Sequence, residues 1–339
     1  MKVHVMTGAS RLPDFQQFAR RTADAGFSGL VITESGRTAY LSCAAAALAG
    51  PELDIATGVA VAFPRSPMTT ASIAWELAEA TGGRFRLGLG TQVRAHIERR
   101  YSSPFDPPGP RMREYVLAVK AAYRAFRGDK LDFDGKYYKL SLLPAMWSPG
   151  DMPYPDPPID LAAVNPWMLR MTGEVADGVH VHPLNTTTYY RDTLLPNLGA
   201  SGRDLRDFTV FLPLFTAVGD TEEERARWRE VGRTQVAFYG STPNYAFIFE
   251  QLGHEGTTDK IRVAQKAGDF AGMAAVITDD ILQHFVVEGT WDELPARISE
   301  RCEPLGGTDV QPVFYVAGMA AQGKGDTFEK FGEVARRLR

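Results

Sequence analysis

Four short stretches of this 339-residue chain carry side chains or backbone able to do chemistry. Glu34 follows the apolar run Leu30-Val31-Ile32-Thr33. A carboxylate placed just past a buried strand is a candidate acid or base, and on spacing alone it also reads as a carboxylate of a surface loop. Gly88 and Gly90 flank Leu89. Glycines there let backbone approach a ligand closely, although a plain tight turn uses the same residues. Asn165-Pro166 is a helix start, with Asn165 as N-cap and Pro166 in the first turn. Free amides at such a start attract anions, and a cap with no further role is the alternative. His180 and His182 are two residues apart. Along a strand they face opposite sides, so at most one is expected to enter a site. His-x-His is also a metal spacing, but no third ligand accompanies it and no metal is expected. The chain has no Gly-x-Ser-x-Gly elbow, no Walker loop and no His-Glu-x-x-His, which leaves nucleophilic hydrolysis and zinc chemistry without support.

The elements that must position these residues alternate. Strand-like runs occur at 3–6, 30–32, 53–63, 85–89, 159–163, 179–182, 209–218 and 310–316, with helical periodicity between them. Eight such units predict an α/β fold of the (β/α)8 TIM-barrel type, a closed parallel barrel. An open doubly wound sheet is the competitor, but it calls for a glycine-rich turn after the first strand. Here that turn is Thr7-Gly8-Ala9-Ser10-Arg11, without the further glycines. Two stretches break the rhythm, about 128–158 and 240–286. They are read as insertions within one domain, 1–339, bordering the barrel mouth, where loops after strands carry function.

Composition sets outer bounds. Hydrophobic residues make up 44% and charged residues 23%, the balance of a globular chain. The formal charge of −4, from 37 basic and 41 acidic residues, together with the lack of a basic run, argues against nucleic acid. No segment approaches a membrane span, and the N-terminus lacks the features of a signal peptide. Cys43 and Cys302, far apart in sequence, suggest no disulfide framework. A cytoplasmic protein without a membrane partner is expected.

The residues at 23–30, 57–67 (with Pro64-Arg65-Ser66-Pro67), 82–90 and 176–179 resemble, in this order and over nearly the full length, the bacterial luciferase-like flavin and deazaflavin oxidoreductases. Residues 90–100, 162–166 and 237–243 resemble the subgroup that uses coenzyme F420, a deazaflavin. The resemblance implies an oxidoreductase moving a hydride between F420 and a small organic substrate, on an eight-stranded barrel with insertions. An FMN-dependent monooxygenase is the alternative within the family, and a catalytically silent flavin-binding barrel is the alternative outside enzymology. It further implies a non-proline cis peptide at Gly58-Val59 behind the ring, and Thr91, Gln92 and His96 beside the ring or its ribityl chain. Ala163, Val164, Asn165 and Pro166 would lie at the cofactor phosphate, with Glu34 near the reactive edge. The family's acidic residue followed by histidine after strand two is Glu34-Ser35 here. With the histidine missing, proton handling falls to Glu34, His96, His182 or Tyr239, or the substrate needs no protein acid. Phe63, Trp147, Trp167, Phe238, Tyr239 and Phe247 are candidate pocket aromatics, although ordinary core is expected for at least half of them. A homodimer is implied, with the small-residue helix around 44–49 in its interface.

Overall fold

The structure is a computed structural model and describes residues 1–315 and 326–339. Its strands are β1 (His4–Gly8), β2 (Gly29–Thr33), β3 (Asp54–Thr57), β4 (Ala60–Val61), β5 (Phe85–Gly90), β6 (Phe133–Asp134), β7 (Lys139–Leu140), β8 (Ile159–Ala162), β9 (Gly178–His180), β10 (Thr209–Val218), β11 (Val286–Gly289) and β12 (Asp309–Tyr315). The parallel ladder runs β12-β1-β2-β3-β5-β8-β9-β10 and closes where β10 pairs with β12. β4 continues β3 and pairs with β5, so the closed circuit has the eight strand positions expected. The expected strand 53–63 is in fact split by a cis peptide at Gly58-Val59. Val316, expected to end the last strand, lies outside the described residues.

Two corrections bear on the site. β11, where the insertion 240–286 ends, is not among the eight expected runs; it pairs in parallel with Phe215–Val218, the C-terminal half of β10. A strand of only four residues leaves little period-2 signal. The other insertion, 128–158, contributes no residue to the lining of the mouth cavity. It joins the helix Pro108–Phe126 to β8 and therefore begins and ends at the N-terminal ends of the strands, where Met152–Pro158 line a separate cavity. Its β6–β7 hairpin climbs back along that helix and is held by Glu114, which accepts hydrogen bonds from the backbone N–H groups of Lys136, Tyr137 and Tyr138.

The core has two parts. An apolar shell fills the space between strands and helices, with Trp75, Tyr115, Phe85 and Phe331 fully buried. Met6, Val31, Ala56, Phe211 and Val313 form a second cluster inside the barrel, from alternate positions of five strands. Below this plug, toward the closed end, Arg86 forms a two-pronged pair with Asp160 (2.9 and 2.6 Å). There too His4 bonds Gln311 (2.7 Å), and Gln311 donates to Asp309 (2.6 Å). Above it lies the mouth.

Candidate active site at the barrel mouth

The interior plug ends in His180. Its imidazole stacks on Phe211 (4.5 Å between centroids, 5° between planes) and fills the space left by Gly58 and Gly88. A Cβ on Gly88 would strike the carbonyl of Thr57 as well as His180, and one on Gly58 would strike Val31. These glycines are therefore required by the plug. Gly90, one step higher, belongs to the wall of the mouth: a Cβ there would meet Val59 Cγ2 at 2.6 Å.

Above this floor opens a cavity of about 450 Å³, within the range of ordinary small-molecule sites. Its wall combines Gly58, Val59 and Val61 after β3, Gly90, Thr91 and Gln92 after β5, Ala162–Asn165 after β8, and His180–Pro183 after β9. Asn244 and Tyr245 reach it from the insertion after the helix Glu222–Gly240, and Tyr315 from the end of β12. Among the described residues its one charged wall residue is Glu34.

Glu34 departs from the role expected of it. Its carboxylate is 4% exposed and paired with Arg65, which donates to both oxygens (2.5 and 3.0 Å). The backbone N–H of Val61 adds a third hydrogen bond at 2.9 Å. Arg65 in turn donates to the Val61 carbonyl (2.9 Å) and lies over the Tyr40 ring. A carboxylate so fully engaged is a clamp that fixes β4 beside the cavity, not a loose proton carrier. Sequence reading marked Arg65 only as part of Pro-Arg-Ser-Pro. The pairing depends on two strand ends meeting, which has no local signal.

His182 lies beyond the end of β9, so strand alternation does not govern it and both histidines line the cavity. Burial without a charged neighbour pushes the His182 imidazole down to about 3, which keeps it neutral. Burial likewise lowers His180 to about 4, against a smaller opposing pull from Asp160. Tyr239 meets the edge of the His182 ring (4.9 Å, 87°), one layer behind the wall, and Tyr245 covers its other side at 4.2 Å. Burial raises both phenols, so they stay protonated.

Other expected residues fall outside the cavity. His96 is exposed on the helix Arg94–Arg99, because its helix turns outward after Gln92. Trp147, Trp167 and Phe238 are exposed at 74%, 43% and 60%. Phe63 is core, packed on Phe105, and Phe247 packs on Tyr189. Pro166 has no amide hydrogen to offer. Nearby, the N–H groups of Asn165 and Trp167 find no acceptor among the described residues, while the Asn165 side chain caps Met168 N at 3.0 Å. Gln92 holds a left-handed φ of 57° and accepts from Val93 N with its own side chain (2.9 Å). Tyr315 was legible in principle, since Gln311, Val313 and Tyr315 alternate along β12. Tyr245 was not, since it lies in an insertion without periodicity.

The profile of the luciferase-like monooxygenases matches residues 1–309. An uncharacterised protein of Mycobacterium tuberculosis is 38% identical, over 86% of this chain and 87% of its own length. A 5,10-methylenetetrahydromethanopterin reductase of Archaeoglobus fulgidus is 27% identical over 85% of both chains. Among solved structures, the coenzyme F420-dependent tetrahydromethanopterin reductase of Methanopyrus kandleri superposes with a TM-score of 0.78 at 20% identity, covering 100% of this chain and 99% of that one.

Proposed function

The chain belongs to the luciferase-like monooxygenase family, and from that premise we propose that it is a coenzyme F420-dependent oxidoreductase acting on a small, uncharged organic substrate. The observation that carries this reading is the mouth cavity itself. Its wall combines the backbone of Gly58, Gly90 and Ala162–Asn165 with the small apolar side chains of Val59 and Val61, and its single charge among the described residues is already neutralised by Arg65. The similarity to a methylenetetrahydromethanopterin reductase supports F420 as the cofactor.

The residues present fit such a group. A flat ring system calls for a wall of backbone and small apolar side chains, which Gly58, Gly90, Val59, Val61 and Ala162 provide. The open N–H groups of Asn165 and Trp167, at the start of the ten-residue helix Pro166–Val175, suit the phosphate. When bound, the deazaflavin supplies hydride transfer. The chain's own part is to orient the substrate, to exclude water and to offer neutral donors. Glu34 and Arg65 hold β4, the plug closes the floor, and Tyr245 and Tyr315 line the wall beside the substrate space.

The groove between the helices Ala39–Ala47 and Pro67–Ala80, lined by Leu41, Ala44, Leu48, Ile73 and Leu77, supports pairing of two copies. Leu41 and Leu48 are 56% and 74% exposed there. Light scattering on the purified protein is expected to give the mass of a dimer.

Titration with F420, followed by its fluorescence, tests the cofactor directly, with FMN titrated in parallel. Saturable binding of F420 and none of FMN is the expected result. Tight FMN binding with oxygen uptake in the reduced state would move the protein to the monooxygenase reading. Gly90→Val, whose Cβ would push Val59 out of its place in the wall, is expected to weaken F420 binding at least tenfold, measured on the fraction that circular dichroism shows to be folded. Binding of F420 in its reduced form without any return of the oxidised deazaflavin's absorbance on adding ketones, enones or imines would reduce it to a silent binder.

A further inference from the structure

The proton position on His182 can be read from its neighbours. The backbone N–H of Leu184 donates to His182 Nδ1 at 3.1 Å, so Nδ1 is an acceptor and carries no hydrogen. The neutral ring, held low by burial, then has its hydrogen on Nε2. Nε2 has no partner among the described residues, and the ring keeps part of its surface open to the cavity. The mount is rigid. Asn185 is 2% exposed, and its side-chain amide donates to the carbonyls of His182 (2.9 Å), Pro183 (3.2 Å) and Pro213 (3.0 Å). Arg301 donates to the Asn185 carbonyl (2.7 Å). Tyr239 and Tyr245 fix the ring plane.

We propose that His182 is a hydrogen-bond donor of fixed tautomer, presenting Nε2–H to an uncharged acceptor atom of the substrate, a carbonyl oxygen or imine nitrogen. This deepens the F420-dependent reading and rests on it for the identity of the second ligand in the cavity. Among the described residues the groups facing His182 are Tyr239 and Tyr245, both neutral, and the only wall charge, on Glu34, is paired. A carboxylate substrate would meet no cation among the described residues here. Nor is His182 a proton source, since loss of Nε2–H would leave an imidazolate in an apolar setting. Its work is to bind and polarise the acceptor while the proton stays in place.

Protein labelled with ¹⁵N at histidine tests the claim without turnover. The His182 signals are expected to show a bare Nδ1 and a protonated Nε2, unchanged from pH 5 to 8. A hydrogen on Nδ1, or titration within that range, overturns the proposal. Cyclohex-2-enone added to the complex with oxidised F420 is expected to shift the Nε2–H signal saturably, and acetate is expected to leave it unmoved. His182→Phe should bind F420 within about twofold of the parent and the enone at least tenfold more weakly, with His182→Gln recovering part of the loss. An enone that fails to bind the parent, or binds His182→Phe and parent alike, overturns the donor role, as does acetate acting through the same signal. Failure of the parent to bind F420 would instead overturn the cofactor reading. The tautomer and the enone titration, repeated on the free protein, would then still decide the role of His182.

Discussion

Arg86 and Asp160, near the closed end of the barrel, meet in two parallel hydrogen bonds, whereas His182 at the open end offers an N–H that no described residue accepts. The same contrast runs through both ends. Below the plug, His4, Gln311, Asp309 and Thr209 form a chain of bonds. Above it, Asn165 and Trp167 hold open amides and Gln92 sits at a left-handed φ. Polar groups buried for stability satisfy one another. Polar groups left open on a rigid scaffold mark the end where a ligand completes them. The Glu34–Arg65 pair belongs by this measure to the supporting kind, although it stands at the mouth.

Acid is the bluntest way to break the comparison, because it reaches both ends. His4 and His180 are lowered to about 4 and His182 to about 3, each first by burial. The unfolded chain, with histidines near 6.5, binds more protons than the folded one below that value. Stability therefore is flat above about pH 6.5 and falls as pH drops toward 4. By pH 5 the loss is on the order of 2 kcal/mol per histidine and 6 kcal/mol in sum. Urea melts between pH 5 and 7 are expected to show a slope approaching three protons, and His182→Phe should remove about one of them. A flat profile would show that these rings are not held neutral.

Asp160→Ala acts on the closed end alone. It strands the Arg86 guanidinium and is expected to cost about 3–5 kcal/mol in urea melts. F420 affinity of the folded fraction should stay unchanged, and a parallel loss of affinity would erase the distinction between the ends. Gly88→Ala attacks the boundary, pressing on Thr57 and His180, with an expected cost of about 1–3 kcal/mol. Gln92→Gly has the smallest expected effect and the opposite sign. It relieves the left-handed backbone and should raise stability by up to about 1 kcal/mol, net of glycine's greater unfolded freedom. F420 should nevertheless bind more weakly to it.

The barrel itself was legible because each strand is a compact apolar run, and eight of them alternate with helices. The positions of Gly58, Gly90 and Asn165 followed from strand ends and from the family resemblance, and the structure sets them around one cavity. What escaped was set by tertiary contact. The partner of Glu34 lies 31 residues away, across two strand ends. His182 looked subject to alternation because the strand ends two residues before it, a boundary that sequence does not fix sharply. The insertion 128–158 contributes nothing to the cavity lining for a topological reason. It connects a helix to a strand, which was already visible in the order of elements.

β11 gives the long strand β10 a third neighbour, so the segment between Gly240 and Val286 leaves from the end of the helix Glu222–Gly240 and rejoins the barrel at the β10–β11 ladder. That segment brings Asn244 and Tyr245 to the cavity without supplying any part of the closed circuit. It is therefore an exchangeable cassette. A different sequence spliced between the same two anchors would recut the substrate space and replace the Tyr245 face of His182, while the barrel, the open amides of Asn165 and Trp167 and the Asn185 support of His182 stayed as they are. Divergence of substrate range among such barrels, whether natural or by laboratory grafting, has here a ready seam.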